Sequence, residues 1–254
     1  MNFIISASTD IGRKPMNQDS LFVRRINTSI GEIVFAMVCD GMGGFEKGEI
    51  ASATLVTAFT DWMYEKLPEI LHQTPEDSVI REQWSAVVNE QNDKLREYSH
   101  REGCLMGTTM TAMLLTGERY FIMNIGDSRA YEFRKGIRQI TIDHTVLAQE
   151  VLLGNMTAEE AERAPNRNVL TRCVGVEEFV TPDMFFGDTV RNAVYMLCSD
   201  GFRHTITENE LVEQFSRGGV SGEADLKRRE EHLIELIKQR GETDNISVVT
   251  VAVH

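Results

Sequence analysis

Cysteine is scarce and scattered. Cys39, Cys104, Cys173 and Cys198 form no C-x-x-C pair, which removes zinc knuckles and dithiol redox motifs. Cys39 and Cys198 sit inside apolar runs and read as small core residues. Only five prolines are spread over 254 residues, and no linker, repeat or low-complexity tract interrupts them, so a single domain over 1–254 is expected. Hydrophobic runs such as Ile33 to Cys39 stop far short of the roughly 20 residues a membrane-spanning helix needs. Runs of Lys or Arg do not extend beyond pairs and short clusters, and 26 basic against 39 acidic residues leave a net charge of −13. Such a surface repels a nucleic acid backbone. Met1 to Ser6 lacks the basic and long apolar segments of a secretory signal, so a reducing cytoplasm is the expected home. What is present is ordinary globular material: 42% hydrophobic residues at regular spacing, too many for intrinsic disorder.

The pattern runs strands, helices, strands, helices. Residues 2–8, 20–26 and 32–39 read as strands. Residues 46–66 have helical period, with Ala51, Leu55, Ala58, Phe59, Trp62 and Met63 on one face; a break at Pro68 to Pro75 precedes a second long helix carrying Ile80, Trp84, Val87, Val88 and Leu95. Short strands at 108–116, 119–126, 128–134 and 137–142 follow, with Gly117-Glu118 and Lys135-Gly136 as tight connections. Helices at 145–153 and 157–164, strands near 179–187 and 193–198, a loop at 218–222 between helices at 208–216 and 223–240, and a last strand at 246–253 complete the chain. Helices lie in blocks between antiparallel strands, an α+β arrangement in which sheet stacks on sheet with helices outside.

The most informative feature is where acids lie. Three apolar strands run directly into aspartate: Val34 to Cys39 into Asp40, Tyr120 to Gly126 into Asp127, and Ala193 to Ser199 into Asp200. Asp244 comes just before the strand opening at Ile246, and Asp19 before the strand opening at Leu21. Acids on strand rims are rigid and partly desolvated, and several together repel one another unless a cation joins them. Hard oxygen ligands at fixed positions suit Mg²⁺ or Mn²⁺. The alternatives are a metal centre or a set of unrelated turn caps. Four such acids beside glycines favour the metal, provided the strand ends meet in space. Asp40-Gly41-Met42-Gly43-Gly44 adds a turn able to aim a backbone carbonyl at the same cation, or simply to open the helix at 46; neither phosphate-loop glycine spacing is present.

Five segments together resemble the protein phosphatase 2C family of metal-dependent Ser/Thr phosphatases, in its compact bacterial form. They are Asn17-Gln18-Asp19-Ser20, Val38-Cys39-Asp40-Gly41-Met42-Gly43-Gly44, Asn124-Ile125-Gly126-Asp127-Ser128-Arg129-Ala130, Leu197-Cys198-Ser199-Asp200-Gly201 and Asp244-Asn245-Ile246-Ser247. Gly107-Thr108-Thr109, Asp143-His144-Thr145 and Asn168-Val169-Leu170-Thr171-Arg172 match between them, in order, from about residue 8 to the end. The resemblance implies a β-sandwich of two antiparallel sheets flanked by α-helices, four layers in all. It implies hydrolysis of phosphoserine and phosphothreonine by in-line attack of a hydroxide bridging two Mn²⁺ or Mg²⁺ ions. By the same resemblance Asp40 bridges the ions, the Gly41 carbonyl binds one, and Asp200 with Asp244 binds the other. Asp127, helped by Asp200, forms a third-ion site; Asp19 holds ion-bound waters and Asn245 supports Asp244. Phosphorylated proteins and a cognate Ser/Thr kinase are the implied partners, with no nucleic acid or membrane, and the chain is expected to be a monomer.

Three positions depart from parts of the family. Where the family usually places a phosphate-gripping Arg stands Lys14, with Arg13 beside it, and a lysine lacks the bidentate fork. Met42 occupies the place of a proton-donating His in many eukaryotic members and cannot donate a proton. Gln18 stands where some members have Glu. No cysteine shows the C-x₅-R spacing of thiol phosphatases. His144 reads as either a proton donor or part of a helix-capping turn. Residues 145–168, with Glu159, Glu160, Glu162 and Arg163, resemble the family's flap, or are simply a charged helical surface. Three competing functions stay open: a catalytically silent phosphoprotein reader, a hydrolase of small phosphoesters or nucleotides, and an acidic cation binder without chemistry.

Overall fold

Strand β3 (Gly31–Asp40) shows why this chain stacks its sheets. Its apolar residues form an unbroken run, and both faces are buried: Phe35, Met37 and Cys39 point into one cluster, Val34, Ala36 and Val38 into another. A strand covered on both sides needs no polar alternation. The computed structural model describes residues 1–42, 47–216 and 219–254, and Glu162 by its backbone alone. Gly43 and Gly44 of the glycine turn, the first residue of the helix expected at 46, the side chain of Glu162 and Gly218 of the expected loop lie outside the described residues.

One sheet has the order β1 (Phe3–Asp10), β10 (Ile246–Val253), β9 (Val194–Cys198), β6 (Arg129–Phe133), β7 (Ile137–Gln139). The other runs β2 (Asp19–Thr28), β3, β4 (Met110–Leu115), β5 (Arg119–Ile125), β8 (Asp183–Asp188). All these pairs are antiparallel. The sheets meet through side chains such as Val38, Met113 and Ile122 from one and Tyr195, Leu197 and Val251 from the other. Helices α1 (Gly48–Glu65), α2 (Leu67–Ile70) and α3 (Asp77–Glu102) cover the second sheet, where Phe35, Phe59, Trp62 and Trp84 pack with ring centroids 5.6–6.3 Å apart. Helices α6 (Asp200–Arg203), α7 (Glu208–Phe215) and α8 (Glu223–Gln239) cover the first sheet with Phe202, Leu211, Phe215, Leu233 and Ile237. Helices α4 (Val146–Leu152) and α5 (Ala158–Arg163) stand in the expected flap. The α+β sandwich with outer helices is therefore the architecture.

The differences from the sequence pattern have local causes. Pro68 lies in the first turn of the short helix α2, where its missing N–H is no loss, so the expected break is partly helical. The strand expected to reach 142 stops at Gln139, because the Thr141 hydroxyl accepts from the Ala130 N–H (3.0 Å) in place of a ladder carbonyl. The strand expected from 179 starts at Asp183, after Pro182, which has no N–H to give. Ala58 is only half buried, while Ser52 is fully buried on the same helix.

Helix α8 is anchored by a buried acid. Glu230 is fully buried and accepts from Ser6 Oγ (2.8 Å) and Ser8 Oγ (2.6 Å) on β1 and from Thr250 Oγ1 (2.6 Å) on β10. Burial raises its carboxyl above the ordinary glutamate range, although the three hydroxyls and Lys227 pull the other way. Glu230→Ala, which strands three donors, is expected to cost about 2–4 kcal/mol in urea unfolding. A raised folded-state acid contributes stability that is whole at low pH and fades as pH rises past the unfolded value. The stability of wild type minus that of Glu230→Gln should therefore fall as pH rises above the ordinary glutamate range, as measured by urea melts from pH 4 to 8.

Candidate metal centre and active-site cleft

Antiparallel pairing sends the ends of β3, β5 and β9 and the starts of β2 and β10 to one edge of the sandwich. Asp19 and Asp40 stand directly opposite each other in register, a like-charge pair that strand pairing disfavours on its own. The Asp40 carbonyl accepts from Thr109 N–H (2.9 Å) and Thr108 Oγ1 (3.0 Å), and its N–H donates to Thr109 Oγ1 (3.1 Å). Gly41, buried next to it, donates to the Gln18 carbonyl (3.1 Å). Asp200 opens α6, and a Cβ on Gly201 would lie 2.2 Å from the Asn245 carbonyl oxygen. Only glycine lets the Asp200 and Asp244 segments approach so closely. Asp127 follows Gly126, whose N–H donates to His144 Nδ1 (3.2 Å).

These segments enclose a cleft of about 480 Å³ whose walls include Lys14, Asp40, Met42, Thr109, Asp127, Arg172, Cys173, Asp200 and Asp244. Asp19 lies against them, its carboxylate oxygens both buried, near the Ser247 and Ser199 hydroxyls but with no partner at hydrogen-bond geometry; Oδ1 of Asp200 is likewise buried without a partner. Burial pushes the Asp19 carboxyl up to about 7, with the charges of Asp200 and Asp244 adding to it against the hydroxyls of Ser247 and Ser199. Asp127 is likewise pushed up to about 7 by burial and by Asp200, with Arg203 opposing. Asp40 is raised well above the carboxylate range by burial and then by the charges of Asp19, Asp200, Asp127 and Asp244. Asp40, Asp127, Asp200, Asp244 and Asp19 are thus brought within each other's field. Arg13 is exposed and does not line the cleft.

Orphaned buried carboxylate oxygens, hard donors and mutually raised acids suit a divalent cation in charge and chemistry. Among the described residues, no group of three or more His, Cys, Asp or Glu is drawn together tightly enough to hold an ion as it stands. The acids line a cleft, and the nearest cation to Asp244 is the chain's own: Lys14 Nζ lies 2.8 Å from its Oδ1. Burial weakens the Lys14 ammonium, but the Asp244 hydrogen bond and the charges of Asp244, Asp40 and Asp200 outweigh it and raise its pKa. Asn245 supports Asp244 through its backbone, whose N–H donates to Asp244 Oδ1 (2.8 Å). Its side chain does something else: Nδ2 donates to the Ile11 (2.9 Å) and Met16 (3.1 Å) carbonyls, and Oδ1 accepts from Gln18 N–H (2.9 Å).

Three further residues were not singled out from the sequence. Arg172 lines the cleft and is oriented by Asp183 Oδ1 (2.8 Å); it sits in a quoted segment, so a charge there was visible. Glu242 Oε1 accepts the N–H groups of Thr243 (2.7 Å) and Asp244 (3.0 Å), fixing the Asp244 turn. Burial acts upward on Glu242, yet His204 and those two N–H groups hold it down at about 2. His204 stands between Asp200 (3.5 Å) and Glu242 (3.6 Å). No spacing in the sequence links these positions. His144, for which two roles were open, is buried behind the cleft, its Nε2 3.2 Å from Nη1 of the wall residue Arg172, and Thr145 is the cap of α4, accepting from Ala148 N–H (3.1 Å).

Comparison with known proteins agrees with this geometry. The family model described as Protein phosphatase 2C matches residues 8–235. The serine/threonine phosphatase stp of Listeria monocytogenes serotype 4b is 32% identical over 250 residues, 96% of this chain and 93% of its own length. The S. agalactiae serine/threonine phosphatase superposes with a TM-score of 0.82 at 29% identity, covering all of both chains. The catalytic domain of the phosphatase PstP, solved in complex with two manganese ions, superposes with a TM-score of 0.78 at 28% identity, again over the whole of both chains. With sequence order, sandwich and acidic edge all in agreement, the chain belongs to the protein phosphatase 2C family and is a protein phosphatase.

Proposed function

We propose that residues 1–254 form one catalytic domain that removes phosphate from phosphoserine and phosphothreonine in proteins, using two divalent ions, Mn²⁺ or Mg²⁺. The observation that carries this is the set of acids from four separate strand ends on one cleft, Asp127 and Asp200 buried and Asp40 and Asp244 partly so, with orphaned oxygens on Asp19 and Asp200. Asp40, the Gly41 carbonyl, Asp200 and Asp244 would hold the two ions, Asp127 with Asp200 a third, and Asp19 the waters around them. When bound, such ions activate a water for in-line attack, lowering its pKa from about 15.7 toward neutrality, and neutralise the phosphoryl charge.

The chain's own groups supply the rest. Asp40 is fixed by three hydrogen bonds from its backbone to Thr108 and Thr109, so its carboxylate keeps its place as charge builds up. Lys14 is the phosphate-gripping residue of the pair left open by the sequence, because it faces the cleft and Arg13 does not. Arg172 adds a second cation to the same wall. Met42 lines the cleft but has no proton to give the leaving oxygen. The flap of α4 and α5 influences which phosphoprotein docks. No described helix is long and apolar enough to cross a membrane. The protein works as a cytoplasmic monomer opposite a Ser/Thr kinase in signalling.

Purified protein should hydrolyse p-nitrophenyl phosphate and a phosphothreonine peptide only with Mn²⁺ or Mg²⁺. Asp40→Asn and Asp244→Asn should each lower kcat at least about 100-fold with the circular dichroism spectrum retained. Activity that survives complete chelation sinks the reading. A preference for free nucleotide over phosphoprotein turns it toward small phosphoesters, and absence of turnover on every substrate turns it toward a silent reader.

A second outcome concerns stability. Asp40 is raised in the folded state, so its contribution is whole at low pH and is lost as pH rises. In chelator, Asp40→Asn should therefore melt above wild type, by a margin that widens from pH 4 to 8. Saturating Mn²⁺ should reverse the order, since an ion that binds only the folded state raises its melting temperature. Differential scanning calorimetry with and without Mn²⁺ reads both.

A further inference from the structure

The loop at 11–18 is fastened to the segment that carries Asp244. Asn245 Nδ2 holds the Ile11 (2.9 Å) and Met16 (3.1 Å) carbonyls, and Arg13 N–H donates to the Thr243 carbonyl (3.3 Å). Gly12, at φ +62°, presses so close that a Cβ there would stand 2.0 Å from the Asp244 carbonyl oxygen. The backbone of Lys14 is thus locked in register with Asp244, and only its four-carbon stem is free to swing. Its ammonium lies 2.8 Å from Asp244 Oδ1, and that same oxygen accepts the Asn245 N–H at 2.8 Å. Both acceptor positions of Oδ1 are therefore taken. An ion that binds Oδ1 has to displace the ammonium, and one that binds Oδ2 sets a second cation against the first on a single carboxylate.

We propose that Lys14 is an internal counter-cation for Asp244 which a divalent ion displaces, so that loading the ion releases the ammonium to the substrate's phosphate. This rests on the metal-dependent phosphatase reading of the cleft and adds a coupling to it. An arginine fork could hold a carboxylate and a phosphate at once, whereas a lysine ammonium is one compact charge that occupies one place or the other. The exchange makes ion binding weaker than the bare acids would allow. It also makes ion and phosphate favour each other, by the same factor in both directions. Lys14 thereby sets the ion concentration at which the site can take substrate.

The test is calorimetric titration of the full chain with Mn²⁺ alone, and with inorganic phosphate at saturating Mn²⁺. Lys14→Met should bind Mn²⁺ about tenfold tighter than wild type and inorganic phosphate about tenfold more weakly. Arg13→Met removes an exposed neighbouring charge without touching Asp244, and screening should keep its Mn²⁺ affinity within about twofold of wild type. Lys14→Arg keeps a cation on Asp244 and should restore wild-type Mn²⁺ affinity to within about threefold. Unchanged or weaker Mn²⁺ binding by Lys14→Met overturns the proposal, and so does equal tightening by Arg13→Met, which reduces the effect to net charge. If either occurs while wild type binds Mn²⁺ and hydrolyses phosphothreonine peptide, only the counter-cation role is lost. If wild type binds no Mn²⁺, both this role and the phosphatase mechanism fall.

Discussion

Carboxylates repel one another, and this fold holds five of them against one cleft. None can retreat, because each is fixed by a strand or turn whose position is decided elsewhere. β3 is buried on both faces, so Asp40 at its end goes where the two sheets put it. Register then sets Asp19 opposite. The repulsion appears as acids that resist ionising, with Asp19 and Asp127 both pushed to about 7 by burial and by their neighbours. An edge of this kind is a poor place for a turn cap and a good one for multivalent cations. The aromatic packing of α1 and α3 against Phe35 is part of the same argument, since it keeps the strand from bending away from its charge.

The chain balances the ends of this acidic row itself. Lys14 meets Asp244 at 2.8 Å on one side. On the other, Arg203 Nη2 donates to the Asp127 carbonyl (3.2 Å) and lies 3.4 Å from Asp127 Oδ2. Arg203 is steadied in turn by Asp143 (3.3 Å), which also grips Arg129 through Nε (2.9 Å) and Nη2 (2.8 Å). Apart from His204 beside Asp200, no ion pair from a described residue reaches Asp40, Asp19 or Asp200. The uncompensated charge is concentrated in the middle of the row, where two antiparallel sheets bring it from three different strands.

Much of this was legible because buried strands announce themselves as apolar runs, and an acid directly after such a run is conspicuous. Asp40, Asp127 and Asp200 were visible for that reason, and β10 was bounded at Ile246 and Val253 by the same signal. Which of Lys14 and Arg13 lines the cleft was not legible. The two are adjacent, alike in charge, and separated only by how Gly12 and Asn245 pin the loop. Asn245 was expected to serve Asp244; its backbone N–H meets Asp244 Oδ1, whereas its side chain clamps the loop, a contact across more than two hundred residues. Glu230 reads as one more charge on a helix rich in them, and nothing local marks it as the acceptor for hydroxyls on two strands. Helix α6 is too short to leave a period.

The segment of α4 and α5 is joined to the acids unequally. Helix α5 is held by its own capping box, Thr157 with Glu160, and α4 by Thr145, so the flap's secondary structure depends little on the core. Its base does depend on it. His144 N–H donates to the Gly126 carbonyl (2.9 Å), its Nδ1 accepts from Gly126 N–H (3.2 Å), and its carbonyl accepts from Thr171 N–H (2.8 Å). One histidine therefore joins the entry of the flap, the turn that carries Asp127 and the strand of chain leading to Arg172. Asp40 is held by Thr108 and Thr109 instead and shares none of these bonds. Asp127 and Arg172 are fixed jointly with the base of α4, and the centre is not wholly separate from them: Thr109 Oγ1 lies 2.9 Å from Ser128 Oγ, and Thr108 pairs with Val174 just beyond Arg172. The chain between β7 and β8 is thus joined most directly to the outer acid Asp127 and the outer cation Arg172, and to Asp40 only through Thr108 and Thr109.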